Sequence, residues 1–137
     1  SAIGPGIVVY CDIRAEDFPQ EKAQEALAEL ESLRPYFLGD FIPLLPLTSE
    51  AHDWCAYQYH RDDLGAGFAL FLRRHASPFT TMEVALRAID ADATYEVSLA
   101  DTFCAPQPGR MSGKQLVHLT ISIPDRPGSM LVRYRRV

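Results

Sequence analysis

The apolar positions along this chain change their period near residue 53. From Gln20 to Arg34 the sequence reads QEKAQEALAELESLR, in which Ala23, Ala26, Leu27, Leu30 and Leu33 recur at spacings of three and four. That is one stripe of an amphipathic helix, with Glu21, Glu25, Glu29 and Ser32 turned to water. Pro19 suits the first helical turn, where its missing N–H would be unpaired in any case. Pro35 ends the helix by disfavouring helical geometry at Arg34. The stripe is narrow, so the helix has to dock on something. The stretch Tyr36 to Leu47 is apolar but broken by Gly39, Pro43 and Pro46. Proline blocks both a helix and a central strand, so this stretch is expected as an extended, mostly buried connector.

From Asp53 onwards the period is two, and six strands are expected. They run Trp54 to His60, Ala66 to Arg74, Thr81 to Ala88, Thr94 to Leu99, Gln115 to Ile123 and Ser129 to Arg136. In the second, Phe68, Leu70 and Leu72 share one face, while Ala69 and Phe71 share the other. The inward sets of the later strands are Met82, Val84 and Leu86; Tyr95, Val97 and Leu99; Val117, Leu119, Ile121 and Ile123; and Met130, Val132 and Tyr134. Turn chemistry separates them at Asp62–Gly65, Asp90–Asp92, Pro108-Gly109, Ser112-Gly113 and Pro124–Gly128. Short strands with frequent turns imply a mainly β chain: an antiparallel β-sandwich of about six to eight strands preceded by one amphipathic helix.

Composition narrows the partners. A chain of 137 residues, 47% hydrophobic and 23% charged, is an ordinary globular length and mixture. It buries roughly two-thirds of its unfolded surface without needing disulfides. The net charge of −5 argues against a nucleic-acid partner, which requires a basic face. No apolar run approaches the roughly 18–20 residues of a membrane span, and no signal peptide is visible. Cys11, Cys55 and Cys104 are too few and too scattered for a disulfide framework or a CxxC zinc site. As free thiols they favour a reducing compartment.

Catalytic signatures are sparse. Asp62 and Asp63 are adjacent and diverge in a turn, whereas a general acid and base need carboxyls held about 5–10 Å apart across a cleft. Asp12, Asp40, Asp53 and Asp101 fit turn and cap roles. His52, His60, His75 and His118 show no metal-ligand spacing. Ser49, Ser112 and Ser129 lie in no GxSxG elbow. Gly4-Pro5-Gly6 and Gly65-Ala66-Gly67 are neither a P-loop nor a dinucleotide fingerprint. No cofactor is therefore expected. In Arg133-Tyr134-Arg135-Arg136, alternation turns Arg133 and Arg135 outward as a solvated, edge-protecting pair. Trp54, Tyr57 and Tyr59 are the candidate carbohydrate-binding aromatics, although alternation puts Tyr57 and Tyr59 on one face and Trp54 on the other.

Several of these runs, taken in order, resemble the end of a known family. Leu33 to Leu44, LRPYFLGDFIPL, is similar to the RPYFxGD(F/Y)YPL segment of α-galactosidase-type glycoside hydrolases of family 36. Asp53 to Gly65, DWCAYQYHRDDLG, resembles their DxWxAxQ(F/Y)xRxDxGxG strand and turn. The resemblance continues through Phe71–Arg74, Leu86–Asp90, Tyr95–Val97 and Ser112–Leu116, covering most of residues 30–136. It implies that residues 1–38 carry the last helix of a (β/α)8 catalytic barrel, 39–52 the connector and 53–137 a C-terminal sandwich. The family's two catalytic aspartates lie on upstream barrel strands, and no position here matches their motifs. Ile42 stands where the family usually has Tyr. The resemblance thus implies a non-catalytic accessory domain whose partner is its own barrel, with a carbohydrate-binding module as the alternative. Without the barrel, the Leu27, Leu30 and Leu33 stripe packs on the sandwich or stays partly uncovered, and an uncovered face invites self-association.

Overall fold

The computed structural model describes residues 12–103 and 107–137. Cys11, Cys104 and the Gly4-Pro5-Gly6 cluster lie outside the described residues; Cys55 is a half-buried free thiol.

The helix α1 spans Gln20–Leu33 and passes into a 3-10 turn at Arg34–Leu38. Pro35 falls inside that turn, so the α-geometry stops one residue earlier than expected. Among the described residues eight strands follow: β1 (Asp40–Pro43), β2 (Cys55–Arg61), β3 (Ala66–Arg73), β4 (Thr81–Val84), β5 (Thr94–Ala100), β6 (Gly109–Ser112), β7 (Leu119–Ser122) and β8 (Gly128–Arg136). A short helix α2, Gly113–Leu116, precedes β7. Six strands form one antiparallel sheet in the order β1-β2-β3-β8-β5-β6, and β4 and β7 form a second, antiparallel sheet.

Two cores lie on opposite faces of the large sheet. Between the sheets pack Trp54, Phe71, Val84, Leu86, Tyr95, Leu116, Ile121, Val132 and Tyr134, among others. Beneath the helix pack Leu33, Phe68, Leu70 and Leu131, with Tyr36, Phe37, Tyr57 and Tyr59 against them. β3 is therefore buried on both faces, while β2 alternates between buried and half-buried residues. Arg73 closes one end: its guanidinium donates to the carbonyls of Ile123, Pro124 and Ser77.

Several expectations need correction. The connector contributes β1 at the sheet edge, where proline is tolerated because Pro43 ends the strand. It is not mostly buried, since Phe41 is 52% and Leu47 is 82% exposed. Leu27 is exposed as well. Glu29, expected in water, is buried. β4 stops at Val84, and Ala88 takes a left-handed φ of 54° that interrupts the extended run. The strand expected from Gln115 gives way to α2, because Ser112 and Gln115 form a reciprocal capping box. β6 occupies a stretch read only as a turn. β8 is central rather than an edge strand, so Arg133 protects no edge. Leu99 faces inward with Val97 but is 36% exposed, because the second sheet is only two strands wide.

Candidate docking face

The helix-side face of the large sheet gathers six aromatic side chains, Tyr36, Phe37, Phe41, Tyr57, Tyr59 and Phe68. Antiparallel register sets Tyr57 against Leu70 and Tyr59 against Phe68. The same register sets Phe41 against Tyr59 and Phe68 against Arg133. Period-two alternation puts all of these on one face. The 3-10 turn then lays Tyr36 and Phe37 over them. Phe37 meets Tyr59 edge-on at 4.9 Å and Phe68 at 5.5 Å. Tyr59 stacks on Phe68 at 5.3 Å, and Phe41 packs against Tyr57 at 5.6 Å and Tyr59 at 5.2 Å. Pairs in these geometries contribute about 0.5–1.5 kcal/mol each beyond area burial.

Polar contacts hold the turn and the helix in place. Arg61 grips Asp63 through two bonds of 2.7 and 2.6 Å, and its Nη1 donates to the Pro35 carbonyl at 2.8 Å. The end of β2 is thereby tied to the turn that carries Tyr36 and Phe37. On the helix, the Glu29 carboxylate accepts from Arg133 Nη2 at 3.0 Å. Burial pushes the Glu29 carboxyl above the usual range, against the opposing attraction of Arg133. The Tyr57 phenol is pushed up to about 12, first by burial and then by Cys55 and Tyr59.

The rim of this face is open. Leu38 is 83% exposed, and Phe41 and Leu27 are about half exposed. Beside the helix a groove of about 400 Å³ runs between Lys22, Glu25, Leu70, Phe103 and Leu131.

The sequence-derived candidates separate. Tyr57 and Tyr59 sit together in the aromatic cluster. Trp54 lies in the opposite core, 3% exposed, with Nε1 donating to the Phe79 carbonyl at 3.2 Å. Asp40 lies opposite His60 in the register, and Asp62 Oδ1 lies 3.9 Å from His60 Nε2. Among the described residues, no three His, Cys, Asp or Glu side chains gather to hold a metal. Phe37 and Phe41 complete the aromatic cluster: Phe41 follows the alternation of an edge strand, whereas Phe37 stands on the 3-10 turn, where no period of two marks it. The Glu29–Arg133 pair left no signal, because its members stand far apart in sequence.

No protein-family model matches the sequence, and no curated protein matches it. Solved structures do match. A point variant of the GH36 α-galactosidase AgaA from Geobacillus stearothermophilus, in complex with 1-deoxygalactonojirimycin, is similar over 90% of this chain at 18% identity, with a TM-score of 0.65. AgaB, a GH36 α-galactosidase of the same organism, matches over 90% at 19% identity and a TM-score of 0.66. The galactosidase domain of the α-galactosidase-sucrose kinase AgaSK matches over 90% at 14% identity and a TM-score of 0.69. The chain spans only 16–17% of the length of these proteins. In fold, it is the likeness of a segment amounting to about one-sixth of a GH36 α-galactosidase.

Proposed function

We propose that this chain is the C-terminal accessory region of a larger α-galactosidase-like glycoside hydrolase. In this reading α1 is the last helix of the catalytic barrel, and the sandwich is a non-catalytic support that closes and steadies it. The observation that carries the reading is the fold likeness, which takes in nine-tenths of this chain but about one-sixth of the galactosidases. The open apolar rim of Leu27, Leu38 and Phe41 is the surface offered to the rest of the enzyme. The isolated chain should show no turnover of aryl α-galactosides, while a reading frame that continues upstream of Ser1 should encode a barrel. Hydrolysis by the isolated chain would defeat the proposal.

One observation favours a second reading, a carbohydrate-binding module: Phe41 and Tyr57 form an aromatic pair at the surface, with Phe41 half exposed. Sugar rings stack on such faces. This reading expects galactoside or oligosaccharide binding that is lost in Tyr57→Ala with the fold retained. A flat calorimetric titration removes it.

A further inference from the structure

A buried polar chain crosses the core between the sheets and takes no part in the docking face. Gln58, His60 and Tyr134 are at most 3% exposed. Gln58 Oε1 accepts from the Arg87 backbone N–H at 2.9 Å, and its Nε2 donates to the Arg87 carbonyl at 2.8 Å. This pair of bonds fixes the orientation of the amide, since a flipped amide would oppose donor to donor and acceptor to acceptor. The same Nε2 donates to the Tyr134 hydroxyl at 2.6 Å. With Gln58 donating into it, the Tyr134 oxygen still has its own proton, which is free to go to its other neighbour, His60 Nδ1, at 2.9 Å. A Tyr134 proton placed on this bond leaves His60 Nδ1 bare and Nε2 protonated, with Nε2 3.9 Å from Asp62 Oδ1. The two rings stack at 5.9 Å, 12° from parallel.

We propose that this chain is an acid-sensitive pin: Tyr134 holds His60 as its neutral Nε2–H tautomer, and a proton on Nδ1 breaks the link joining β2, β8 and the Arg87 loop. A protonated Nδ1 turns an acceptor into a donor and sets it against the Tyr134 O–H. The Tyr134 O–H then has to turn out of this bond, and Gln58 Nε2, which already donates to the Arg87 carbonyl and the Tyr134 oxygen, cannot accept it. The inference stands apart from the accessory-domain reading.

The groups around the ring do not undo this. Asp40 on β1 and Asp62 after β2 favour the protonated ring, but burial opposes it more strongly and holds its pKa below the usual value. β3 presents Gly67, which has no side chain, opposite His60. β8 presents Tyr134, backed by Tyr95 on β5 at 6.2 Å. Arg136, the next β8 residue on that face, is paired with Asp90 at 3.1 Å. The Arg87 loop meets Gln58 through its backbone N–H and carbonyl. With the folded pKa depressed, stability is full above the unfolded pKa and is lost as the pH falls through the folded one.

Two measurements on the full chain test the pin. Long-range proton–nitrogen NMR should find His60 as the Nε2–H tautomer, titrating below the histidines of the urea-unfolded chain. An Nδ1–H tautomer, or a midpoint at or above the unfolded value, overturns it. Urea unfolding at about pH 7.5 and about pH 5 should show a smaller acid-induced drop in midpoint for His60→Asn than for the native chain. The asparagine amide oxygen can still accept from Tyr134 but does not titrate. An equal drop in both chains overturns the proposal, and a matching effect in the exposed His118→Asn assigns the acid response elsewhere. Should His60→Asn fail to fold, the tautomer and titration of the native chain decide alone.

Discussion

Arg133 Nη2 on β8 lies 3.0 Å from Glu29 Oε1 on α1, joining residues 104 positions apart. It is a charged contact between helix and sheet, and the Glu29 side chain is 7% exposed. Removing Glu29 leaves a half-buried guanidinium whose Nε already lacks a partner. Glu29→Ala should cost about 1–3 kcal/mol in urea unfolding. Glu31→Ala, on the exposed side of the same helix, should stay within about 0.5 kcal/mol. A double-mutant cycle with Arg133→Ala should return a coupling energy, and an additive cycle would assign the cost to helix packing instead.

Trp54 is a core residue by burial. Trp54→Ala should lose about 3–5 kcal/mol, whereas Leu38→Ser at the exposed end of the 3-10 turn should leave the melting temperature nearly unchanged. Glycan-binding tests based on Trp54→Ala would therefore report unfolding, which is why Tyr57 is the better probe.

At Gly67 a Cβ would run into the Tyr59 carbonyl and the Tyr134 hydroxyl. Gly67→Ala should therefore destabilise by more than about 2 kcal/mol. Gly109→Ala, where a Cβ meets nothing within 4 Å, is the matched control. Calorimetric melting of the two variants separates steric clash from the general cost of replacing a glycine.

In base, Tyr57 should ionise near pH 12 rather than near its ordinary 10. Ultraviolet titration of the native chain against Tyr57→Phe would resolve this. The raised folded value means that Tyr57 keeps its full stabilising share below pH 10 and loses it as the pH rises through about 12.

The open rim should make the isolated chain self-associate in a concentration-dependent way. Sedimentation velocity should show this for the native chain and a clear reduction for Phe41→Ser. A strictly monomeric native chain at high concentration would contradict it.

The alternation of β2 and β3 was legible because each face has its own core, so Tyr57 with Tyr59 and Phe68 with Leu70 declare a period of two. The helix was equally plain: its Leu33 packs with Phe68 and Leu70 on the sheet, and Leu30 is buried. The sequence concealed which strands are neighbours. β8 lies between β3 and β5, and nothing in Arg133-Tyr134-Arg135-Arg136 announces a central position, because its three charges are met by residues distant in sequence, Glu29, Glu96 and Asp90, at 3.0, 2.7 and 3.1 Å. The Ser112–Gln115 capping box starts α2 just where the apolar alternation of Val117, Leu119 and Ile121 reads as strand. On the docking face, the aromatic content of β2 was visible. The contributions of Phe37 and Phe41 depended on a turn and an edge strand that prolines had seemed to forbid.

The place of β8 sets an order on the life of the nascent polypeptide. Strands β3 and β5 have no other way to join, so every earlier segment must wait for residues 128–136 to leave the ribosome before the sheet is whole. A chain cut before residue 128 would present two half-sheets with raw edges rather than a slightly shortened domain. Quality control would meet such a product as an aggregate.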